Sequence, residues 1–171
     1  MLSEPKTEYR AEQPYVAIRK NVPMQKIPEV LPPLIPEVRK WMLKNHITPD
    51  GPEFFLYKSI HENNVLVTEV GVLVKNPEPG EGSIEGGSFP AGYYATIIYT
   101  GDYRNMMEAH MALEAWINKM GLTEKRRISG NDTEWGARTE FYLTDPDNEP
   151  DPEKWITEIA FLLDDPATEP Q

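Results

Sequence analysis

Apolar and polar positions along the chain fall into the same order twice. The run Val65-Leu66-Val67-Thr68-Glu69-Val70-Gly71-Val72-Leu73-Val74 returns as Trp155-Ile156-Thr157-Glu158-Ile159-Ala160-Phe161-Leu162-Leu163, both strand-like with Thr-Glu near the middle. Each follows a second strand-like run, Phe54-Phe55-Leu56-Tyr57 in one half and Glu140-Phe141-Tyr142-Leu143 in the other. Before these come helical stretches containing Trp41 and Trp116, and before those come strands opening in aromatics, Tyr15-Val16-Ala17-Ile18 and Tyr93-Tyr94-Ala95-Thr96-Ile97-Ile98. Each half reads strand–helix–strand–strand. A period of about half the chain is too long for a solenoid and implies a pseudo-twofold duplication. The expected fold is α+β: duplicated β-α-β-β units whose antiparallel sheets form a central ligand groove, with two helices packed on the sheets. Clefts between packed halves are where small ligands usually sit.

Local signals set the expected elements. Residues 1–10 are polar and read as a flexible N-terminus, followed by a strand from about Gln13 to Lys20. Pro23, Pro28, Pro32, Pro33 and Pro36 forbid a regular helix through their segment, because proline lacks the backbone donor and restricts its predecessor. A turn near Pro28–Leu31 and a helix from Pro33 or Pro36 to Asn45 are expected. Strands follow at 53–60 and 65–74, joined by His61-Glu62-Asn63-Asn64. Residues 76–88 are rich in Gly and Pro and read as a linker between half-repeats 11–75 and 89–164 of a single domain, 11–164. The second half offers a strand to about Tyr99 and a helix from Tyr103 to Met120, with Asp102 as N-cap and Gly121 as its stop. Met106, His110, Leu113, Ile117 and Met120 recur at helical spacing and are expected to face the sheet. Residues 122–136 read as loop, 137–143 and 154–163 as strands, and 165–171 as a flexible tail.

Composition narrows the function. The formal net charge of −11 argues against direct nucleic-acid binding, which needs clustered Lys and Arg to neutralise phosphates. It is permissive for cationic ligands. There are no cysteines, so neither disulfides nor thiolate chemistry arise. His46, His61 and His110 lack metal-ligand spacing; no metal and no cofactor are expected. The N-terminus lacks a signal-peptide core and no apolar run approaches membrane-spanning length, so a cytoplasmic, bacterial-type protein without membrane contact is the expectation.

Strand alternation puts Thr139, Phe141 and Leu143 on one face and Arg138, Glu140 and Tyr142 on the other. The first set is expected to pack on the helices, leaving Glu140 and Tyr142 toward the cleft. Glu69 and Glu158 also lie on apolar strands. A carboxylate there is costly to bury unless paired or protonated, and with aromatic neighbours it suits a lipophilic cation through Coulomb attraction and cation–π contact. The candidate ligand-binding residues are Glu140, Tyr142, Tyr57, Tyr94, Trp135, Trp155, Glu158, Glu69 and Tyr15. A strand Glu is as often a solvated residue and an aromatic more often core. No Ser/His/Asp constellation shows in the spacing, and His61 and His110 read as surface and core residues.

The ordered set Phe89-Pro90-Ala91-Gly92-Tyr93-Tyr94-Ala95, Tyr99-Thr100-Gly101-Asp102-Tyr103, Ala115-Trp116-Ile117, Glu140-Phe141-Tyr142-Leu143-Thr144-Asp145-Pro146 and Trp155-Ile156-Thr157-Glu158-Ile159 resembles the gyrase-inhibitor-like (GyrI-like) effector-binding domain. That domain also forms the drug-sensing part of AraC-type and multidrug-responsive MerR-type regulators. The resemblance spans about residues 8–164 and implies a central groove for small molecules, often aromatic cations. Its acidic pocket residue, in the pattern Glu-x-Tyr-Leu-x-Asp-Pro, falls on Glu140. Two departures stand out: Tyr99-Thr100 where family members usually carry a His before Gly-x-Tyr, and the proline-laden first helix. With ten residues before the first strand, a stand-alone ligand binder rather than a regulator by itself is expected.

Three functions compete. The first is a non-enzymatic binding domain for hydrophobic or cationic aromatic compounds. The second, implied by stand-alone family members, is a hydrolase of reactive electrophilic natural products, with Glu140 or Glu158 as general base. The third is a protein partner acting on DNA gyrase. Haem binding is disfavoured by the placement of the three His. Oligomeric state is not legible.

Overall fold

The computed structural model describes residues 1–165; of the tail expected at 165–171, all but Asp165 lies outside the described residues. The strands are β1 (Lys6–Arg10), β2 (Gln13–Pro23), β3 (Pro49–His61), β4 (Val65–Val74), β5 (Gly80–Glu81), β6 (Ile84–Phe89), β7 (Gly92–Thr100), β8 (Arg126–Ser129), β9 (Asp132–Tyr142) and β10 (Ile156–Leu162). The helices are α1 (Ile27–Val30), α2 (Leu34–Lys44) and α3 (Met106–Lys119). The fold is α+β. All strand pairs are antiparallel and form one open sheet in the order β1-β7-β10-β9-β3-β4-β2-β6-β5, with β8 beside β9.

The duplication is visible in the register. The first unit orders its strands β3-β4-β2 and the second β9-β10-β7, and the units join where β3 pairs with β9. Glu69 stands opposite Leu56, and Glu158 opposite Phe141. Leu56 and Phe141 are therefore counterparts, as are Tyr57 and Tyr142, and Phe55 and Glu140. Because Phe55 also pairs directly with Glu140, those two residues sit on the pseudo-twofold axis.

Three segments are more ordered than their composition suggests. Residues 6–10 form β1 along the edge of β7, and Leu2 bridges to Tyr99, so the N-terminus is not loose. The expected linker 76–88 contains β5 and most of β6, the latter pairing with β2 from Gln13 to Ile18. Residues 122–136 contribute β8 and the start of β9 rather than loop alone. The helix expected from Tyr103 begins as a 3-10 turn, Tyr103–Asn105, with Asp102 capping Arg104 N–H at 3.0 Å, and continues as α3. Gly121 takes φ 70°, the left-handed geometry that ends a helix. Met120 lies beyond the inward stripe and is exposed.

The sheet curls strongly. β1 runs beside β7 and β2 lies near the opposite edge, yet only Ala11 and Glu12 separate them; Pro90 and Ala91 join β6 to β7 across the same gap. Three extended peptide steps reach roughly 11 Å, so the two edges approach each other at this end. Tyr15, Phe54, Phe89 and Phe141 fill the interior of the curl, with ring centroids 5.0 to 6.0 Å apart. Two glycines make room: a Cβ on Gly87 would come within 2.6 Å of the Tyr15 ring, and one on Gly71 within 2.8 Å of Phe54.

The outer face carries the helices. On it, α2 lays Val38 and Met42 over Val16, Ile18, Val72 and Val74. In the other half, α3 lays Met106, Ala109, Leu113 and Ile117 over Ala95, Ile97, Ile159 and Phe161. Between them, over the axis, Phe55, Tyr57 and Val70 pack with Leu31, Leu66 and the half-buried Trp135 and Tyr142.

Candidate functional site

The residue pairs of β9 alternate as expected, but the sides are exchanged. Thr139 and Phe141 point into the curl, while Arg138, Glu140 and Tyr142 lie on the helix-bearing outer face. Both faces are apolar, one inside the curl and one under helices, so alternation alone leaves the sides interchangeable.

Glu140 is buried on the pseudo-twofold axis. Its Oε1 accepts hydrogen bonds from Tyr57 Oη at 3.0 Å and Tyr142 Oη at 2.6 Å, and its Oε2 lies 2.6 Å from His110 Nε2. An ionised carboxylate only accepts, so His110 Nε2 carries the hydrogen. The two tyrosines are symmetry counterparts on β3 and β9, and α3 delivers His110 from above. Burial pushes the Glu140 carboxyl up, but the His110 bond and charge, then Tyr142 and Tyr57, outweigh it and hold the group below its ordinary value. The same burial, together with the Glu140 charge, raises both phenols well above theirs. The arrangement is a buried negative charge held in place by three donors.

An aromatic wall continues from it. The ring of Tyr142 meets Phe55 at 4.9 Å and Tyr103 at 5.4 Å between centroids, and Tyr103 lies 4.5 Å from Trp155. Burial pushes the Tyr103 phenol up to about 12. Tyr142 also borders a cleft of about 350 Å³ that opens between Arg39 of α2, Glu53 of β3 and the loop at Thr144 and Asp145. Arg39 is hydrogen-bonded to Glu53 there. Tyr142 is thus the element shared by an accessible cleft and the buried carboxylate.

Of the nine sequence candidates, Glu140, Tyr142 and Tyr57 come together directly. Trp155 joins through Tyr103. Trp135 packs with the same cluster but carries the Arg138 guanidinium over its ring at 4.5 Å. Arg138 also lies 2.6 Å from Glu124 and 2.7 Å from Glu114, joining β9 to α3. The remaining four are on the opposite face. Tyr15 donates to Glu69, which lies 4.0 Å from both Arg19 and Lys58. Tyr94 donates to Pro90 O at 2.7 Å, and Glu158 is 2.6 Å from Arg10. The single groove expected for all nine is therefore two separate places.

Two features escaped the sequence. His110 reads as a packed residue on the α3 stripe; the clue was a titratable group on an apolar helix face opposite a strand glutamate. Ser59, His61 and Asp132 form a hydrogen-bonded chain that spacing did not reveal: Ser59 Oγ is 2.8 Å from His61 Nε2, and His61 Nδ1 is 3.2 Å from Asp132 Oδ1. It ties the β3–β4 hairpin to β9. Among the described residues no group of three or more His, Cys, Asp or Glu could hold a metal ion, and no helix is long and apolar enough to cross a membrane.

The fold is a duplicated β-α-β-β domain, and a small-molecule-binding class is what it matches. Residues 3–164 match the family described as the GyrI-like small molecule binding domain, and the chain belongs to that family. No curated protein matches it. Among solved structures, the EcmrR C-terminal domain superposes with a TM-score of 0.73 at 21% identity, covering 95% of this chain and 98% of that one. In the EcmrR–DNA complex the matched EcmrR chain is longer, and this chain spans 57% of it. SAV2435 bound to tetraphenylphosphonium matches with a TM-score of 0.63 at 12% identity, covering 95% and 94% of the two chains. A hydrolase from Listeria innocua matches with a TM-score of 0.56 at 13% identity, covering 94% and 92%.

Proposed function

We propose that this domain binds lipophilic, aromatic organic cations, with Glu140 as counter-charge and Tyr57, Tyr142, Tyr103 and Trp155 as π-faces. The observation that carries this reading is the buried Glu140 carboxylate, held ionised on the axis by two phenols and an imidazole. A charge in such a place is worth more to an incoming cation than the same charge in water. The aromatic rings beside it add attraction of about 0.5–2 kcal/mol per cation–π contact. The cleft at Tyr142 supplies the approach; on its rim Glu53 is paired with Arg39, and Asp145 adds a negative charge. The tetraphenylphosphonium carried by SAV2435, a protein of the same fold, is a compound of this chemistry.

A hydrolase using Glu140 as general base would need a carboxylate oxygen turned toward a water. Here Oε1 is engaged by Tyr57 and Tyr142 and Oε2 by His110, which favours a fixed counter-charge over a proton acceptor.

The test compares methyltriphenylphosphonium with neutral triphenylphosphine oxide in thermal unfolding of the wild-type protein and Glu140→Gln. A ligand at 100 times its Kd stabilises the fold by roughly 2.7 kcal/mol. The proposal expects a rise in Tm with the cation alone, lost in Glu140→Gln. Equal shifts with both compounds, or a cation shift that survives the substitution, would overturn it.

A further inference from the structure

The other charged place lies on the opposite face of the sheet, at the end where β1 turns into β2. A cleft of about 450 Å³ opens there, walled by Phe89, Tyr94 and Phe141 and rimmed by Glu8, Glu12 and Glu158. Into it projects Arg10. Its Nη2 lies 2.6 Å from Glu158 Oε1 and 2.6 Å from Glu8 Oε1, and its guanidinium carbon lies 5.6 Å from the Tyr94 ring centre and 5.8 Å from that of Phe141. A planar cation thus already occupies the aromatic and acidic seat, and it belongs to the chain itself.

The pseudo-symmetry shows that this seat is a departure from the fold's own pattern. Tyr15 and Tyr94 are counterparts, since Arg19 opposite Glu69 corresponds to Ile98 opposite Glu158. Phe89 lies opposite Gln13, and Arg10 opposite Gly92, so Phe89 is the counterpart of Arg10. In the first half Phe89 fills the curl against Tyr15 and Phe54, with ring centroids 5.0 Å away in each case. In the second half the same place is held by a guanidinium at the end of an exposed edge strand, beside an open cleft. Glu8 and Glu158 hold Arg10, Glu12 lies on the same rim, and Lys6 is 3.4 Å from Glu8, so the place disfavours an anion and retains negative charge when Arg10 leaves.

We propose that this cleft is a second ligand site, distinct from the Glu140 site, which takes a planar organic cation of the amidinium or guanidinium class in place of the Arg10 guanidinium. Glu158, which now accepts a single bond from Arg10 Nη2, pairs with the ligand's N–H groups. Tyr94 and Phe141 supply the π-faces, and release of Arg10 frees the C-terminal end of β1.

The experiment titrates the full chain with the fluorescent probe p-aminobenzamidine. Arg10→Met vacates the charge while keeping the apolar stem, and is expected to bind the probe at least tenfold more tightly than the wild-type protein. Adding Glu158→Gln to Arg10→Met is expected to abolish that gain, and saturating tetraphenylphosphonium is expected not to compete. Equal affinity in the wild type and Arg10→Met, a gain that survives Glu158→Gln, or competition by tetraphenylphosphonium would overturn the proposal. In the wild-type protein, where folding is not in question, the Arg10 Nε–H resonance should move on saturation with benzamidine; an unmoved resonance contradicts the site. Failure of tetraphenylphosphonium to bind at all would count against the Glu140 reading alone.

Discussion

Replacing Glu140 by Gln tests the buried network without removing its bulk. The glutamine carbonyl still accepts from Tyr57 and Tyr142, but those bonds change from charge-assisted to neutral, at about 1 kcal/mol each. The amide nitrogen then confronts His110 Nε2–H, two donors with no acceptor between them, and leaving buried groups unpaired costs about 1–3 kcal/mol. The net loss at neutral pH is therefore about 2–4 kcal/mol. For a chain of this length that lowers Tm by roughly 5–15 °C.

The pH dependence gives the sharper check. Because the folded Glu140 carboxyl is held below its ordinary value, its stabilisation is present above the unfolded carboxyl pKa and is lost as pH falls through the folded value. Gln cannot titrate. Urea unfolding of both proteins across an acid series should show the wild-type advantage shrinking with acidification. A variant as stable as wild type at pH 7, or a gap that stays constant into acid, would refute the assignment of Glu140 as an ionised, donor-held carboxylate.

Two more outcomes follow from the geometry. Arg138→Met leaves Glu124 buried without its partner and removes the guanidinium from between Trp135 and Phe161, so urea unfolding should show a loss of about 3–5 kcal/mol; an unchanged midpoint contradicts the network. Deleting residues 1–10 bares the β7 edge and takes Arg10 from the curl, so light scattering should show self-association together with a lower Tm, and a stable monomer would contradict the role given to β1.

The sequence carried the repeat well, because strands buried on both sides and an amphipathic α3 write themselves as apolar runs. What it could not carry was structure held by backbone pairing. Lys6-Thr7-Glu8-Tyr9-Arg10 forms an exposed edge strand whose hydrogen bonds leave no hydrophobic mark. Gly86-Gly87 looks like linker, yet Gly87 is glycine because the Tyr15 ring lies against it in a paired strand. Exposed β8 is silent for the same reason as β1. At the site, alternation grouped Glu140 with Tyr142 but on the side opposite to the one observed, and Tyr57 stood only among the aromatic candidates; the structure brings the three into contact. His110 was hidden by its helical stripe. The division of Glu69, Glu158, Tyr15 and Tyr94 from Glu140 depended on which apolar face the helices cover, and a period of two is blind to that.

The most direct measurement is a crystal structure of the protein soaked with tetraphenylphosphonium. A phosphonium on the helix-bearing face, in contact with Tyr142 and within about 6 Å of the Glu140 carboxylate, is the result this account predicts. A cation bound only elsewhere, with the Tyr57–Glu140–Tyr142–His110 network undisturbed and unoccupied, would contradict it.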